Sequence, residues 1–346
     1  MRCSPAFLLS LLAAVLTTSP LAAEDRPLPI IDMHLHAFPV SPERPNPSAC
    51  VPMTQMPVWD QRGPWPPQMM AHMAPPECPG DVAAAPSDGA ELMRASLEVL
   101  ERRNIFAVTS GPMLVVAQWR EQAPERIIPA VMFGLDGFGA PPVTPEQIRE
   151  WHAQGLIQIM GEVLTQYEGI APDDERLAPY WALAEELDLP VALHVGSGPP
   201  GAIYLDSPNN RIDLSSALTL DGVLRRHPRL RLYLMHAGFP MLDDLLTLMH
   251  GHPQVYVDVG AIAFGVPRAH FHRYLQGLVE AGFGNRVMFG SDQMYWPGLI
   301  ELALRSIEDA PFLSDSQKRD ILYNNAARFL RLDEDEIARH HGAVAR

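Results

Sequence analysis

"PIIDMHLHAF", residues 29–38, is the stretch on which the reading of this chain turns. Ile30 and Ile31 start a strand-favouring run, and His34 and His36 follow two apart near its end. On a strand, side chains two apart leave the same face, here roughly 6 to 7 Å apart along it. Two imidazoles in that arrangement either hold a metal ion or merely share a surface, and the pair alone does not decide. A second His-x-His shows why. In "HFHRYLQGLVEAG", residues 270–282, Phe271, Tyr274, Leu275 and Leu278 keep helical spacing, and helix residues two apart do not face each other. His270 and His272 therefore read as surface residues, as do His250 and His252 at a helix end and His340 and His341 in a charged tail.

Position along the chain separates the two cases. After residues 29–38 come seven more short apolar runs: "NIFAVTS" (104–110), "RIIPAVMFG" (126–134), "LIQIMGEV" (156–163), "LPVALHVG" (189–196), "LRLYLMHAG" (230–238), "QVYVDVG" (254–260) and "NRVMFGSD" (285–292). Amphipathic helical stretches lie between them, at 89–103, 113–122, 145–154, 173–187, 215–227, 240–250, 267–281 and 298–309, with a closing helix near 315–331. Thr144, Pro145 and Gln147 form a capping box with proline at the first helical position. Nearly continuous apolar strands suit a parallel sheet buried on both faces. Eight strand-then-helix units predict one (β/α)₈ TIM barrel, a single domain over 24–346.

Residues 39–87 break the pattern, with thirteen of the 35 prolines, five methionines between Met53 and Met73, and Trp59 and Trp65. Proline removes a donor and fixes φ, so this segment reads as a long loop after the first strand, without a helix or strand of its own, and a candidate lid over the barrel mouth. Residues 1–23, one basic residue then an apolar stretch from Ala6 to Leu16 and small residues at Ala22 and Ala23, have the form of a secretory signal peptide. The stretch is too short for a membrane span, so the mature protein is expected to be exported, periplasmic or secreted. Two cysteines then remain, Cys50 and Cys78, which an oxidising compartment could join in a disulfide. A net charge of −15 argues against nucleic acid or an anionic membrane as partner; a small-molecule substrate fits, and self-association stays open.

In such a barrel, chemistry sits at the C-terminal strand ends. The first strand ends in His34 and His36, the fourth in Glu162, the fifth in His194, the sixth in His236 and the eighth in Asp292, with Asp258 late in the seventh. Four histidines and two carboxylates at strand ends are a metal-ligand set. Neutral imidazoles and carboxylates suit Zn²⁺ or a similar first-row ion. Such an ion draws the pKa of water towards about 7 and polarises a carbonyl, and an aspartate touching that water can move its proton. Tyr167, Arg211 and Trp296, in or near the loops after strands, are weaker substrate-contact candidates.

"IDMHLHA", "GEV", "LHVG", "MHAG" and "FGSD", in this order on these strands, resemble the amidohydrolase superfamily, in the amidohydrolase-related branch that also holds non-oxidative decarboxylases. The resemblance covers about 30–330 and includes the closing "ILYNNAARFLRL". It implies that His34, His36 and His194 bind metal, that Asp292 binds metal and handles the proton of its water, and that His236 ligates a second ion or contacts the water. Glu162 stands where members with two ions place a bridging carboxylate or carboxylated lysine. The implied activity is metal-dependent hydrolysis of an ester, lactone or amide with one or two ions. The alternatives are decarboxylation of an aromatic or unsaturated acid, and a non-catalytic barrel, which would not be expected to keep both Asp292 and His236.

Overall fold

The computed structural model describes residues 27–43, 46–75 and 77–342, and its eight apolar runs are eight parallel strands. These are β1 (Ile30–His36), β2 (Ile105–Ser110), β3 (Ile127–Phe133), β4 (Ile159–Val163), β5 (Val191–His194), β6 (Leu232–Met235), β7 (Tyr256–Asp258) and β8 (Val287–Met288), hydrogen-bonded in chain order. The last two are shorter than their apolar runs. Beyond Met288 the chain turns onto β1 instead: Met33 N–H donates to Phe289 O (2.9 Å), Asp292 N–H to His34 O (2.6 Å) and His36 N–H to Gln293 O (3.0 Å). Those bonds close the sheet into a barrel. The signal peptide expected over 1–23 falls outside the described residues, among which no helix is long and apolar enough to cross a membrane.

Around the barrel run α1 (Gly89–Arg102), α2 (Met113–Gln122), α3 (Pro145–Ala153), α4 (Ala178–Leu187), α5 (Asp221–Arg226), α6 (Leu242–Gly251), α7 (Arg268–Glu280) and α8 (Gly298–Glu308). The box at the start of α3 forms as expected, with Gln147 N–H to Thr144 Oγ1 at 3.3 Å and Thr144 N–H to Gln147 Oε1 at 2.9 Å. Alternate strand residues divide between two cores. Val131, Leu193 and Leu234 pack outward under the helices, while Ala130, Ala192 and Tyr233 pack inward, where Ala326 and Phe329 of the closing helical segment also pack. On β1 strict alternation fails. The register shifts between Asp32 and Leu35, Ile31 and Met33 join the inner core, and Leu35 joins the outer one. That bulge aims both His34 and His36 at the barrel axis.

The insertion corrects the expectation of an unstructured loop. A helix over Trp65–Met73 follows Pro64, and Ala49–Val51 pairs antiparallel with Asp81–Ala83. Pro66 and Pro67 fall in the first helical turn, where the N–H they lack has no intrahelical partner. Cys50 and Cys78 are joined by a disulfide, Cα–Cα 5.6 Å. The insertion rests on loops at the barrel mouth: Trp65 Nε1 donates to Pro200 O (3.0 Å), Trp296 Nε1 to Pro47 O (2.8 Å) and Met53 N–H to Gly265 O (3.0 Å). His340 also departs from its reading as a solvated tail residue, being buried against Phe106 and Tyr323. His272 is half-buried, 2.9 Å from Ser306 O.

Candidate active site

All six strand-end residues meet at the mouth of the barrel, and all six are buried. His34 Nε2 and His36 Nε2 lie 3.1 Å apart. Asp292 Oδ1 is 3.3 Å from the first and 3.1 Å from the second, and Glu162 Oε2 is 3.7 Å and 3.4 Å from them. Four ligands held tetrahedrally at about 2.0–2.1 Å stand roughly 3.3 Å from one another. The five separations, 3.1 to 3.7 Å, lie close to that spacing, with both histidines near each carboxylate. The other Glu162 oxygen, Oε1, is 3.8 Å from His236 Nε2, and Glu162, His194 and His236 each bring a donor within 4.8 Å of the others. Glu162 thus offers one oxygen to a tight group of donors and one to a looser group.

Every imidazole is oriented through its other nitrogen. His34 Nδ1 lies 3.2 Å from Asp258 Oδ2, His36 Nδ1 3.0 Å from Ser110 Oγ, His194 Nδ1 3.2 Å from Gln166 Oε1, and His236 Nδ1 3.0 Å from Gly260 O. Such outer partners fix ring direction and leave Nε2 facing the centre. Asp258 Oδ1 also accepts the backbone N–H groups of His236 (3.1 Å) and Gly260 (2.7 Å), so one carboxylate faces the His34 ring and holds the main chain that carries His236. Asp32 Oδ1 does the same for the backbone of His34 and Ser291, at 2.9 Å each. Two glycines make room. A Cβ at Gly260 would stand 2.6 Å from His34 Nδ1, and one at Gly290 2.9 Å from His34 Cβ. His236 (φ 60°) and Asp292 (φ 52°) occupy the left-handed region, which costs of order 1–3 kcal/mol each and is characteristic of functional sites.

Charges in the cluster are set mutually. Burial opposes ionisation of Glu162, but the His236 and His34 rings beside it hold its carboxyl well below the ordinary value. Asp292 is lowered in the same way, burial being outweighed by His34 and His36. Burial would neutralise His34, yet Asp292 and Asp258 raise it well above its ordinary value; Glu162 and Asp292 raise His236. His194 is pushed down to about 3 by burial and by His236, so its ring is neutral with a lone pair to give. Burial, with Glu162 and Asp292, keeps Tyr167 a phenol.

Of the weaker candidates, Tyr167 belongs to the site, its ring 4.4 Å from His194 and stacked on Phe138 at 4.8 Å. Arg211 pairs with exposed Asp213 on the surface, and Trp296 holds the insertion. Sequence reasoning assigned no role to Gln166, Asp258, Ser110 or Phe38, which stacks on His36 at 4.7 Å. The position of Asp258 at the end of β7 was the one available signal among them.

The sequence pattern of the amidohydrolase family matches residues 31–332. An uncharacterised TIM-barrel protein from Bordetella bronchiseptica superposes with a TM-score of 0.59 at 19% identity, covering 88% of this chain and 99% of its own. A probable 2-pyrone-4,6-dicarboxylic acid hydrolase from Acinetobacter baumannii gives 0.55 at 15% identity, covering 88% and 99%. The 5-carboxyvanillate decarboxylase of Sphingomonas paucimobilis gives 0.53 at 17%, covering 88% and 100%. These likenesses establish the barrel. Protein fluG of Emericella nidulans is 25% identical over 162 residues, 42% of this chain and 18% of that protein, so the chain spans less than a fifth of its length.

Proposed function

This chain belongs to the amidohydrolase family, and from that premise we propose that it is a metal-dependent hydrolase adding water across an ester, lactone or amide bond of a small molecule. The observation that carries the reading is the approach of His34 Nε2 and His36 Nε2 to each other and to Glu162 Oε2 and Asp292 Oδ1, every one of these distances falling between 3.1 and 3.7 Å. Imidazole and carboxylate donors suit Zn²⁺ or a similar first-row ion. When bound, such an ion supplies positive charge that acidifies a water and polarises a carbonyl. Two ions are favoured over one by Glu162, whose Oε1 faces His236 on the side where His194 also stands.

The side chains supply binding and proton movement. Asp292, ionised and at the centre, accepts the proton of the attacking water and returns it to the leaving group. His236, held by Gly260 O, presents Nε2 towards the same space and orients the water or the second ion. Tyr167, kept neutral beside His194, has a hydroxyl to donate to a substrate oxygen. Burial of the whole cluster keeps bulk water out and strengthens each of these interactions.

The test is a panel of esters, lactones, amides and aromatic acids with product mass measured. Gain of water supports hydrolysis; loss of carbon dioxide would replace the reading by decarboxylation on the same ligands. Purified protein should carry about one or two equivalents of divalent ion by elemental analysis, and a metal-free, fully active enzyme would overturn the site. We also propose export through the 1–23 leader, a reading with which the Cys50–Cys78 disulfide agrees. N-terminal sequencing of protein from the native host tests it.

A further inference from the structure

Gln166 is a buried side chain in the loop after β4 with all of its hydrogen-bonding groups engaged. Its Nε2 donates to Gly196 O and, at 3.0 Å, to Ser215 Oγ. Its Oε1 accepts Gly196 N–H at 3.2 Å and faces His194 Nδ1 at 3.2 Å. Ser215 is committed too, its hydroxyl donating to Gly196 O at 3.0 Å. An amide side chain is commonly ambiguous about which end is oxygen, but here the Gly196 peptide decides. Its N–H can only donate and its C=O can only accept, so both ends of the Gln166 amide are fixed by one backbone unit. With Oε1 an acceptor, His194 Nδ1 must carry the hydrogen. Its Nε2 then bears the lone pair.

We infer that Gln166 is a positioning residue that locks His194 into the Nδ1–H tautomer, presenting Nε2 to the metal site. The inference rests on the reading of His194 as a ligand. It goes further in assigning the tautomer to one side chain and to a neutral amide, where His34 has a carboxylate in the same place.

Nitrogen NMR of imidazole-labelled, metal-free wild-type protein reads the tautomer directly and needs neither substrate nor metal. His194 is expected as Nδ1–H; an Nε2–H ring would overturn the inference while leaving the metal reading standing. Variants then separate positioning from packing. Gln166→Glu keeps an acceptor for Nδ1–H but sets a carboxylate against Gly196 O and Ser215 Oγ, whereas Gln166→Met fills the space and keeps no acceptor. Positioning predicts that Zn²⁺ affinity, by chelator competition, falls about 10–100-fold in Gln166→Met and less in Gln166→Glu. The reverse order, or a loss in Ser215→Ala as large as in Gln166→Met, would make Gln166 a loop clamp and nothing more. Wild-type protein that binds no Zn²⁺ while showing the Nδ1–H ring would defeat the metal reading and spare the tautomer.

Discussion

Asp258 Oδ2 lies 3.2 Å from His34 Nδ1, both groups fully buried, while the other Asp258 oxygen holds the backbone of His236. One side chain outside the donor cluster therefore sets the direction of a ring on β1 and of a residue after β6. Replacing it by Asn keeps the shape but removes the charge that raises His34. Asp258→Asn is expected to fold and to bind Zn²⁺ about 10–100-fold more weakly than wild type. Equal affinity in a chelator competition would show that Asp258 serves packing alone.

Glycine at 260 and 290 makes a separate prediction about space. A methyl at either position meets His34 at under 3.0 Å, and for Gly290 the contacted atom is Cβ, which cannot swing away. Gly290→Ala is expected to shift β1 or β8, costing roughly 1–3 kcal/mol of stability as overpacking does, together with most of the metal. Gly251, at the end of α6, offers a control for space, since its φ is not left-handed and nothing lies within 4 Å of a Cβ there. Thermal unfolding and metal content of both variants check the pair; intact metal in Gly290→Ala would mean that the mouth is more pliable than its geometry implies.

The barrel was legible because each of its cues is local. Strand runs, helical spacing and the Thr144 box need only neighbours in sequence, and each marked its element, although β7 and β8 stop short of their runs and the α-helices expected from 173 and 215 begin at Ala178 and Asp221. The meeting of six strand-end side chains was legible because position in a repeating βα unit says which residue ends a strand. What stayed hidden depends on contacts between distant segments. Gln166 and Ser215 are 49 residues apart and meet only once β4 and β5 are adjacent. The β1 bulge was invisible because alternation treats every strand as regular, and its effect was benign only because His34 and His36 both lie towards its far end. The insertion was misread for another reason: a proline count ignores position, and Pro66 and Pro67 sit in the one turn of a helix that tolerates them.

Titration gives a third prediction. His34 and His236 are raised and Glu162 and Asp292 lowered in the metal-free protein. The carboxylates' contribution to stability is present above their unfolded values near 4 and is lost as pH falls through their lowered folded values. The histidines' contribution is present below about 6.5 and is lost as pH rises through their raised folded values. Metal must displace those histidine protons, so affinity climbs with pH, and the rise in melting temperature on adding Zn²⁺ is larger at pH 8 than at pH 6. A pH-independent affinity over that interval would mean that protons do not compete for these nitrogens.

The insertion supplies the last prediction, which concerns access. Its own elements are small; Ala49, Val51 and Ala83 pack it on Trp296, Leu299 and Leu302 at one side, and at the other Trp65 Nε1 donates to Pro200 O and the Trp59 ring lies 4.7 Å from Tyr204. The disulfide closes a 28-residue separation, a constraint of about 3–4 kcal/mol on the chain-entropy estimate. Trp65→Ala should loosen the latch while leaving the donor cluster intact, because Trp65 is joined to Pro200 O and lies beside the Trp59 ring. Protease cleavage within 46–83 is expected to accelerate and KM for the substrate found in the panel to rise about 10-fold, with metal content unchanged, an effect of about 1.4 kcal/mol on binding. Reduction of Cys50–Cys78 acts on the same segment from its other end, so it should produce the same protease pattern. Faster cleavage with an unaltered KM in both cases would make the insertion a surface ornament rather than a lid.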